Sequence, residues 1–462
     1  MKTAPHPLWL VGFRPFFVLA CAAGAALPVL WALVFAGTLT LPAGRLSPLQ
    51  WHAHEMLFGF GWAVLGGFLL TASKNWVQIR GYHGAALKAL VAAWCVERIG
   101  ISFGGTWPAA LFWASAFAFL GAIVAMLVAT LVRHRARDSF RDNLFFIVAL
   151  PLFLVAKALV LDADHFHAGV SMTLGLYRLA FLVMLERTLT TFMKNGCGVD
   201  LPRDPWLDGP IKGLALVLVG LPWLPAGLAV ALLLVEAALL TARFFRWRPD
   251  RAFGRLELAV MYVGYLALIA QLLAEAWSRL GAPGWVGSVP VHLLTVGVMG
   301  PIIPAMLVRI SKGHTGRKVA FDAFDKAVLT VMLAALGSTG GCGDTTSTEC
   351  HLLDHAESTI TLAGDTCPDY VHPNADGAGY YRFRLDAEAQ NALNTAFVKL
   401  NAFEQRVLAD SVGAAFDAGT MTVAQYLDAA PRFAKATQGD VITAPLGDLE
   451  WIKERVATSA QQ

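Results

Sequence analysis

The sequence predicts an all-α polytopic membrane bundle of about eleven transmembrane helices, followed by a small α+β soluble tail. Three observations carry this. The chain is 56% hydrophobic and only 15% charged, with a mean hydropathy of +0.56, outside the range of soluble domains. Apolar runs succeed one another from residue 16 to about 337, whereas from Ser338 onward the patterning is amphipathic and no run is long enough to span. Every second connection between the runs is basic.

A span needs roughly 20 apolar residues. Candidate helices lie near 16–37, 52–72, 85–105, 109–132, 142–162, 168–190, 209–225, 227–245, 256–278, 288–309 and 322–337, the last short and weak. The basic connections are the N-terminus (Lys2, Arg14), 73–84, 133–141, 191–208, 243–255 and 310–321. Alternate loops such as LDADHFHAG (161–169) are nearly free of Lys and Arg. The N-terminus is therefore expected in the cytoplasm and the chain in a bacterial inner membrane, as no small-residue cleavage site closes the first run. The net charge of +3 is small and sits in short loops, which gives no support to nucleic-acid binding. The bilayer is the expected partner.

The stretch WHAHEMLFGF (51–60) places His52, His54 and Glu55 at the mouth of the second span. His54 and Glu55 begin an H-E-x-x-H zinc string, but position 58 is Phe58, so that motif is incomplete. His292, in VHLLTVGVMG, lies one turn into the tenth span, which starts on the same side as the second. His165 and His167 sit in a loop on that side, and His314 on the other. On a helix His52 and His54 diverge by about 200°, so they suit two neighbouring sites better than one; His52 shares a face with Glu55, and His54 with Phe58. Neutral imidazole ligates haem iron and copper, and polar groups at membrane depth are costly enough to be functional by default. His52, His54 and His292 are the candidate metal or haem ligands, with Glu55 a partner that orients an imidazole.

Other ionisable groups fall inside spans: Glu97 and Arg98, Lys157, Arg178, Glu236, and Glu275 with Gln271. Lys157 and Glu275 lie near span ends and are expected to snorkel. Arg98 and Arg178 are deeper and suit a carboxylate partner, Glu97 or Glu236, or the propionates of a haem.

GFRPFF (12–17), WHAHEMLFGF (51–60), RTLTTFMKNG (187–196), VHLLTVGVMG (291–300) and MLVRISKGHTGR (306–317) resemble the signature blocks of the NnrS family, in the family's order, within residues 1–335. The resemblance implies a bacterial inner-membrane protein of about twelve helices, associated with haem, copper, nitric oxide, nitrosative stress and denitrification. His52, His54, His292 and His314 match its recurring histidines. The alternative from a different class is a transporter or metal-handling permease in which Glu97, Arg98, Arg178 and Glu236 line a path. Whether such a protein is a haem or copper redox enzyme is open at this stage.

The tail departs from that family. CHLLDHAESTITLAGDTCPDYVHPNADGAGYYRFRLD resembles the small β-domain of zinc-dependent alanyl-type aminopeptidases, and the residues after it resemble the first helices of their C-terminal domain. The organisation expected is a bundle over 1–337, a small β segment over 338–384 and a helical fragment over 385–462. Neither H-E-x-x-H nor its downstream glutamate occurs, so the tail is not a peptidase, and a nonfunctional fusion product is a further alternative. Cys342, Cys350 and Cys367 cluster just past the break and suit an oxidising periplasm, in which two of them would form a disulfide.

Overall fold

The computed structural model describes residues 6–35, 38–39, 41, 45–281, 288–314, 321–328, 330, 370–374, 383–436 and 438–456. They are helical, with no strand among them. The chain divides into two compact units, Met1–Asp344 and Thr345–Gln462.

The first unit begins with α1 (Phe13–Phe35). Next comes α2 (Pro48–His54), which runs through a π-helical turn, Glu55–Gly61, into α3 (Trp62–Trp76). Ser47 and Gln50 form a capping box that starts α2, and Pro48 at its first position is preset for a helix. Then follow α4 (Ala85–Phe103), α5 (Ala109–Ala116), α6 (Ala118–Arg133), α7 (Leu144–Leu161) and the long α8 (Phe166–Cys197). The unit continues with α9 (Pro205–Val217), α10 (Ala226–Arg246), the short α11 (Pro249–Ala252) and α12 (Leu256–Ser278). Last come α13 (Val289–His292), a second π turn over Leu293–Met299, and α14 (Gly300–His314).

Seven helical stretches are long and apolar enough to cross a membrane, and the bent pair α5–α6 makes up to eight. Their lipid-type surface is visible on α7. Phe146, Leu150, Phe153 and Val160 face the core at helical spacing, while Leu144, Val148 and Val155 are large, apolar and exposed. A helix apolar all round is what a bilayer requires.

The count of eleven spans is not reached among the described residues, for local reasons. The expected span 85–105 is the helix α4, but Lys88, Glu97 and Arg98 all lie in it. The span expected over 109–132 is broken, α5 and α6 meeting at 45°. At the break Ser115 Oγ donates to Phe112 O at 2.8 Å, and Glu97 Oε2 accepts the N–H groups of Phe119 and Leu120 at 3.3 and 3.4 Å. A buried carboxylate thus replaces the helical carbonyls these amides would otherwise need. The segment 209–225 is divided between α9 and a 3-10 turn, Leu218–Trp223. Of the eleventh span, 322–337, only 322–328 and 330 are described, and 323–328 are helical.

Cross-helix contacts fix the two ends of the unit. Gln50 Nε2 donates to Val160 O at 3.3 Å and Trp51 Nε1 to Ser102 Oγ at 3.1 Å, joining the start of α2 to the ends of α7 and α4. At the opposite, basic end Ser139 N donates to Trp76 O at 2.9 Å, and Arg187 Nη2 donates to Asp142 at 2.6 Å. Lys212 joins Asp142 and Glu186 there at 3.1 and 2.7 Å, so the basic end is tied by a buried ion network.

In the second unit α15 (Ala387–Thr395), α16 (Ala402–Asp417), α17 (Val423–Phe433), α18 (Gly439–Thr443) and α19 (Leu446–Arg455) surround Leu393, Phe397, Leu408, Tyr426 and Phe433. Asn401 with Glu404 and Thr422 with Gln425 are capping boxes that start α16 and α17. The β segment expected over 338–384 lies outside the described residues apart from 370–374 and 383–384, as do Cys342, Cys350 and Cys367.

Candidate functional site

His52 and His54 point in different directions. His52, half-buried, stacks on Trp31 of α1 with ring centroids 4.1 Å apart, and lies within electrostatic range of His292. His292 is exposed, and its Nδ1 is 2.9 Å from Ser288 O. A carbonyl can only accept, so Nδ1 carries the proton and Nε2 keeps a free lone pair.

His54 turns into the bundle and is fully buried, stacked on Phe58 at 5.4 Å. Its Nδ1 is 3.2 Å from Glu55 Oε1, while its Nε2 has no hydrogen-bond partner. Helical spacing placed Glu55 with His52; the structure pairs it with His54, because the π turn begins at Glu55 and alters the rotation between successive residues. Glu55 Oε2 accepts from Arg98 Nη1 at 3.0 Å, and Arg98 Nη2 donates to Glu97 Oε1 at 2.5 Å. Lys157 Nζ sits 2.6 Å from the same Glu97 oxygen as an ion pair. The expectation that Lys157 snorkels is thus overturned: it is fully buried, drawn inward by Glu97.

The sequence does not display the backbone that frames these groups. Both π turns begin directly after a candidate histidine, one after His54 and one after His292. Such turns concentrate at functional sites, where they reorient side chains. The first is braced by two neighbours, Tyr177 donating to Leu57 O at 2.6 Å and Trp94 Nε1 to Gly59 O at 3.1 Å. Gly59 also makes room for Arg98, since a Cβ there would stand 2.3 Å from Nη1.

Arg178 lies elsewhere, buried between α8 and α12. It donates to Gln271 Oε1 at 3.0 Å and more weakly to Leu218 O at 3.5 Å. Arg98 and Arg178 each keep one buried Nε–H without a partner. Glu236 is within electrostatic range of Arg178, although no direct bond joins them. His165 is exposed and paired with Asp162, and His167 is exposed too. His314 ends α14.

A family model described as NnrS protein matches residues 7–338. The chain belongs to the NnrS family. No curated protein and no solved structure matches it. The matched stretch of this NnrS-family membrane protein contains the histidines, their carboxylate and arginine partners, and both π turns. The tail lies beyond it, and its likeness to an aminopeptidase finds no support in these comparisons.

What this NnrS chain offers a metal is single imidazoles rather than a prebuilt cage. Among the described residues no group of three or more His, Cys, Asp or Glu side chains could hold a metal ion. Two ring nitrogens nevertheless have the character of ligands. His54 Nε2 is buried, unpartnered and oriented by a carboxylate through Nδ1; His292 Nε2 is oriented by a carbonyl. This donor set fits a haem iron or a copper ion that takes one or two histidines.

Proposed function

We propose that this NnrS-family protein is a haem- and copper-associated inner-membrane protein of the response to nitric oxide and nitrosative stress. One observation carries the reading: the fully buried His54 ring, with Nδ1 held by Glu55 and Nε2 left without a partner. Buried polar atoms are nearly always satisfied, and an orphaned imidazole nitrogen beside an orienting carboxylate has the form of a ligand.

In this reading His54 Nε2 and His292 Nε2 are ligating nitrogens, and His52, close to His292, completes the half-exposed part of the site. Glu55 keeps the His54 proton on Nδ1, and Arg98 balances the Glu55 charge. The unpartnered Nε–H groups of Arg98 and Arg178 are available to propionate carboxylates. Haem iron or copper, when bound, supplies a centre that binds nitric oxide and exchanges electrons. Trp31 and Phe58, stacked on His52 and His54, hold the rings in place and keep water from them. The basic end faces the cytoplasm and the His292 end faces outward, which follows the loop charges, and the tail is periplasmic where the segment 322–337 crosses.

The test is an absorption spectrum and metal analysis of the purified full chain, repeated for H52A, H54A and H292A. The expected result is a Soret band that shifts on adding nitric oxide, with lowered haem or copper in each variant. A colourless wild type, or three variants with wild-type spectra and stoichiometry, would refute the assignment.

A further inference from the structure

The half of the bundle built by α8, α9, α10 and α12 contains a second line of buried polar groups, of which the proposed haem site draws on Arg178 alone. At its centre is Glu236, ten residues or about 15 Å along α10 from Ala226. Its side chain is fully buried, and neither carboxylate oxygen has a hydrogen-bond partner. Arg178 of α8 and Arg243 of α10 are both within electrostatic range, and each presents one buried N–H without a partner, Arg178 Nε and Arg243 Nη2. Tyr265 of α12 is within electrostatic range of Glu236, and its hydroxyl accepts from Arg243 Nε at 2.8 Å.

The line continues both ways. From Arg178 it passes to Gln271 at 3.0 Å and, one turn along α12, to Glu275, which is paired with Arg279 near the end of that helix. From Arg243 it passes to Asp208 of α9 at 3.3 Å, whose Oδ2 accepts the N–H of Asp204 at 2.9 Å. Asp204 pairs with the exposed Arg246 at the basic end.

We propose that Glu236 is the proton-carrying carboxyl of a transmembrane proton path through α8, α9, α10 and α12. An ionised carboxylate with unsatisfied lone pairs is costly in a low-dielectric interior, and a bound proton removes the charge. Arg243 keeps an unpartnered N–H and lies within electrostatic range of the unpartnered oxygens of Glu236, donors and acceptors that bridging water can satisfy. Glu236 is a carboxyl that can gain and lose a proton beside guanidinium groups that cannot, so a proton passed between water and carboxyl is the species this group can carry. In the transfer, a Glu236 O–H bond forms as a hydronium O–H bond breaks on the Arg178 side, leaving neutral water there. The reverse exchange releases the proton on the Arg243 side, and no electrons move.

The experiment uses the full chain in liposomes that enclose a pH-sensitive dye, with a potassium diffusion potential as the driving force. Wild type is expected to take up protons faster than protein-free liposomes, and E236Q to fall to the protein-free rate. Wild-type uptake no faster than protein-free liposomes, or E236Q uptake equal to wild type, overturns the path. Infrared difference spectra of the wild type across a pH titration give a readout independent of the variant's folding. A buried carboxylic-acid carbonyl band that shifts in heavy water is expected, and no such band at any pH overturns the protonation of Glu236.

Discussion

Lys157 Nζ lies 2.6 Å from Glu97 Oε1, and neither side chain has any solvent exposure. Glu97 also accepts from Arg98 and from the amides of Phe119 and Leu120, so one carboxylate holds α4 against both α7 and the start of α6. Among the described residues, Lys157 has no other carboxylate within salt-bridge distance. Replacing Glu97 by Leu therefore leaves a buried ammonium uncompensated and uncovers the α6 amides, at an expected cost of about 3–5 kcal/mol. The double variant E97L/K157M removes both charges and is expected to regain part of that loss. Thermal unfolding in detergent measures this, and a double variant no more stable than E97L would show that the pair is not coupled.

Gly59 and Gly213 are both helical, yet alanine has opposite consequences at the two. At Gly59 the added Cβ would stand 2.3 Å from Arg98 Nη1, so the guanidinium must leave Glu55, at about 1–3 kcal/mol. At Gly213 in α9 nothing lies within 4 Å, and alanine is expected to be neutral or to stabilise by about 0.5–1 kcal/mol. G59A should also lower haem or copper content as H54A does, whereas G213A should not. Equal effects of the two on stability would mean that Arg98 does not occupy the space Gly59 leaves.

Tyr177 donates its hydroxyl to Leu57 O at 2.6 Å, inside the first π turn. Tyr177→Phe keeps the ring's packing against Phe153 and removes this hydrogen bond, which costs about 0.5–1.5 kcal/mol. Hydrogen exchange should quicken locally over residues 55–61. Unchanged exchange there would mean that the turn holds without this brace.

The apolar runs and the family were legible because each is written in composition or in a contiguous block. Tertiary electrostatics were less so. Lys157 near a span end reads as a snorkelling residue, and only the position of Glu97 on a different helix turns it inward. The break at Phe117 was hidden for the same reason, since ALFWASAFAFL is apolar apart from Ser115 and the group that replaces the lost helical carbonyls is on α4. The π turns after His54 and His292 leave no periodic trace in seven residues, so Glu55 was assigned to His52 instead of His54. Trp31, Trp94 and Tyr177 were missed as neighbours of the site because aromatic residues in spans ordinarily signal packing.

In the tail, Phe433 of α17 is buried against Phe397, with ring centroids 5.5 Å apart. Phe433→Ala removes a ring from a small core and is expected to cost about 3–5 kcal/mol. Limited proteolysis of the full chain should then cleave within 387–455 earlier than in wild type, while fragments of the first unit remain unchanged. Identical cleavage rates in the tail would show that this core does not hold the unit together.

The proposed orientation rests on loop charge and is open to direct labelling. His165 and Asp250 are both exposed, His165 at the start of α8 and Asp250 at the opposite, basic end. A background in which Cys21, Cys95, Cys197, Cys342, Cys350 and Cys367 are replaced by serine would carry H165C or D250C singly. In spheroplasts a membrane-impermeant maleimide should label H165C at once and D250C only after the membrane is opened. Labelling of D250C in intact spheroplasts would invert the topology and place His292 on the cytoplasmic side. Restoring Cys350 alone then reads the tail. The segment 322–337 offers about 24 Å of helix against a hydrocarbon core of about 30 Å, so its insertion is marginal by length. Labelling of Cys350 in intact spheroplasts shows that the segment crosses and leaves the tail in the periplasm, and protection until the membrane is opened shows that it does not.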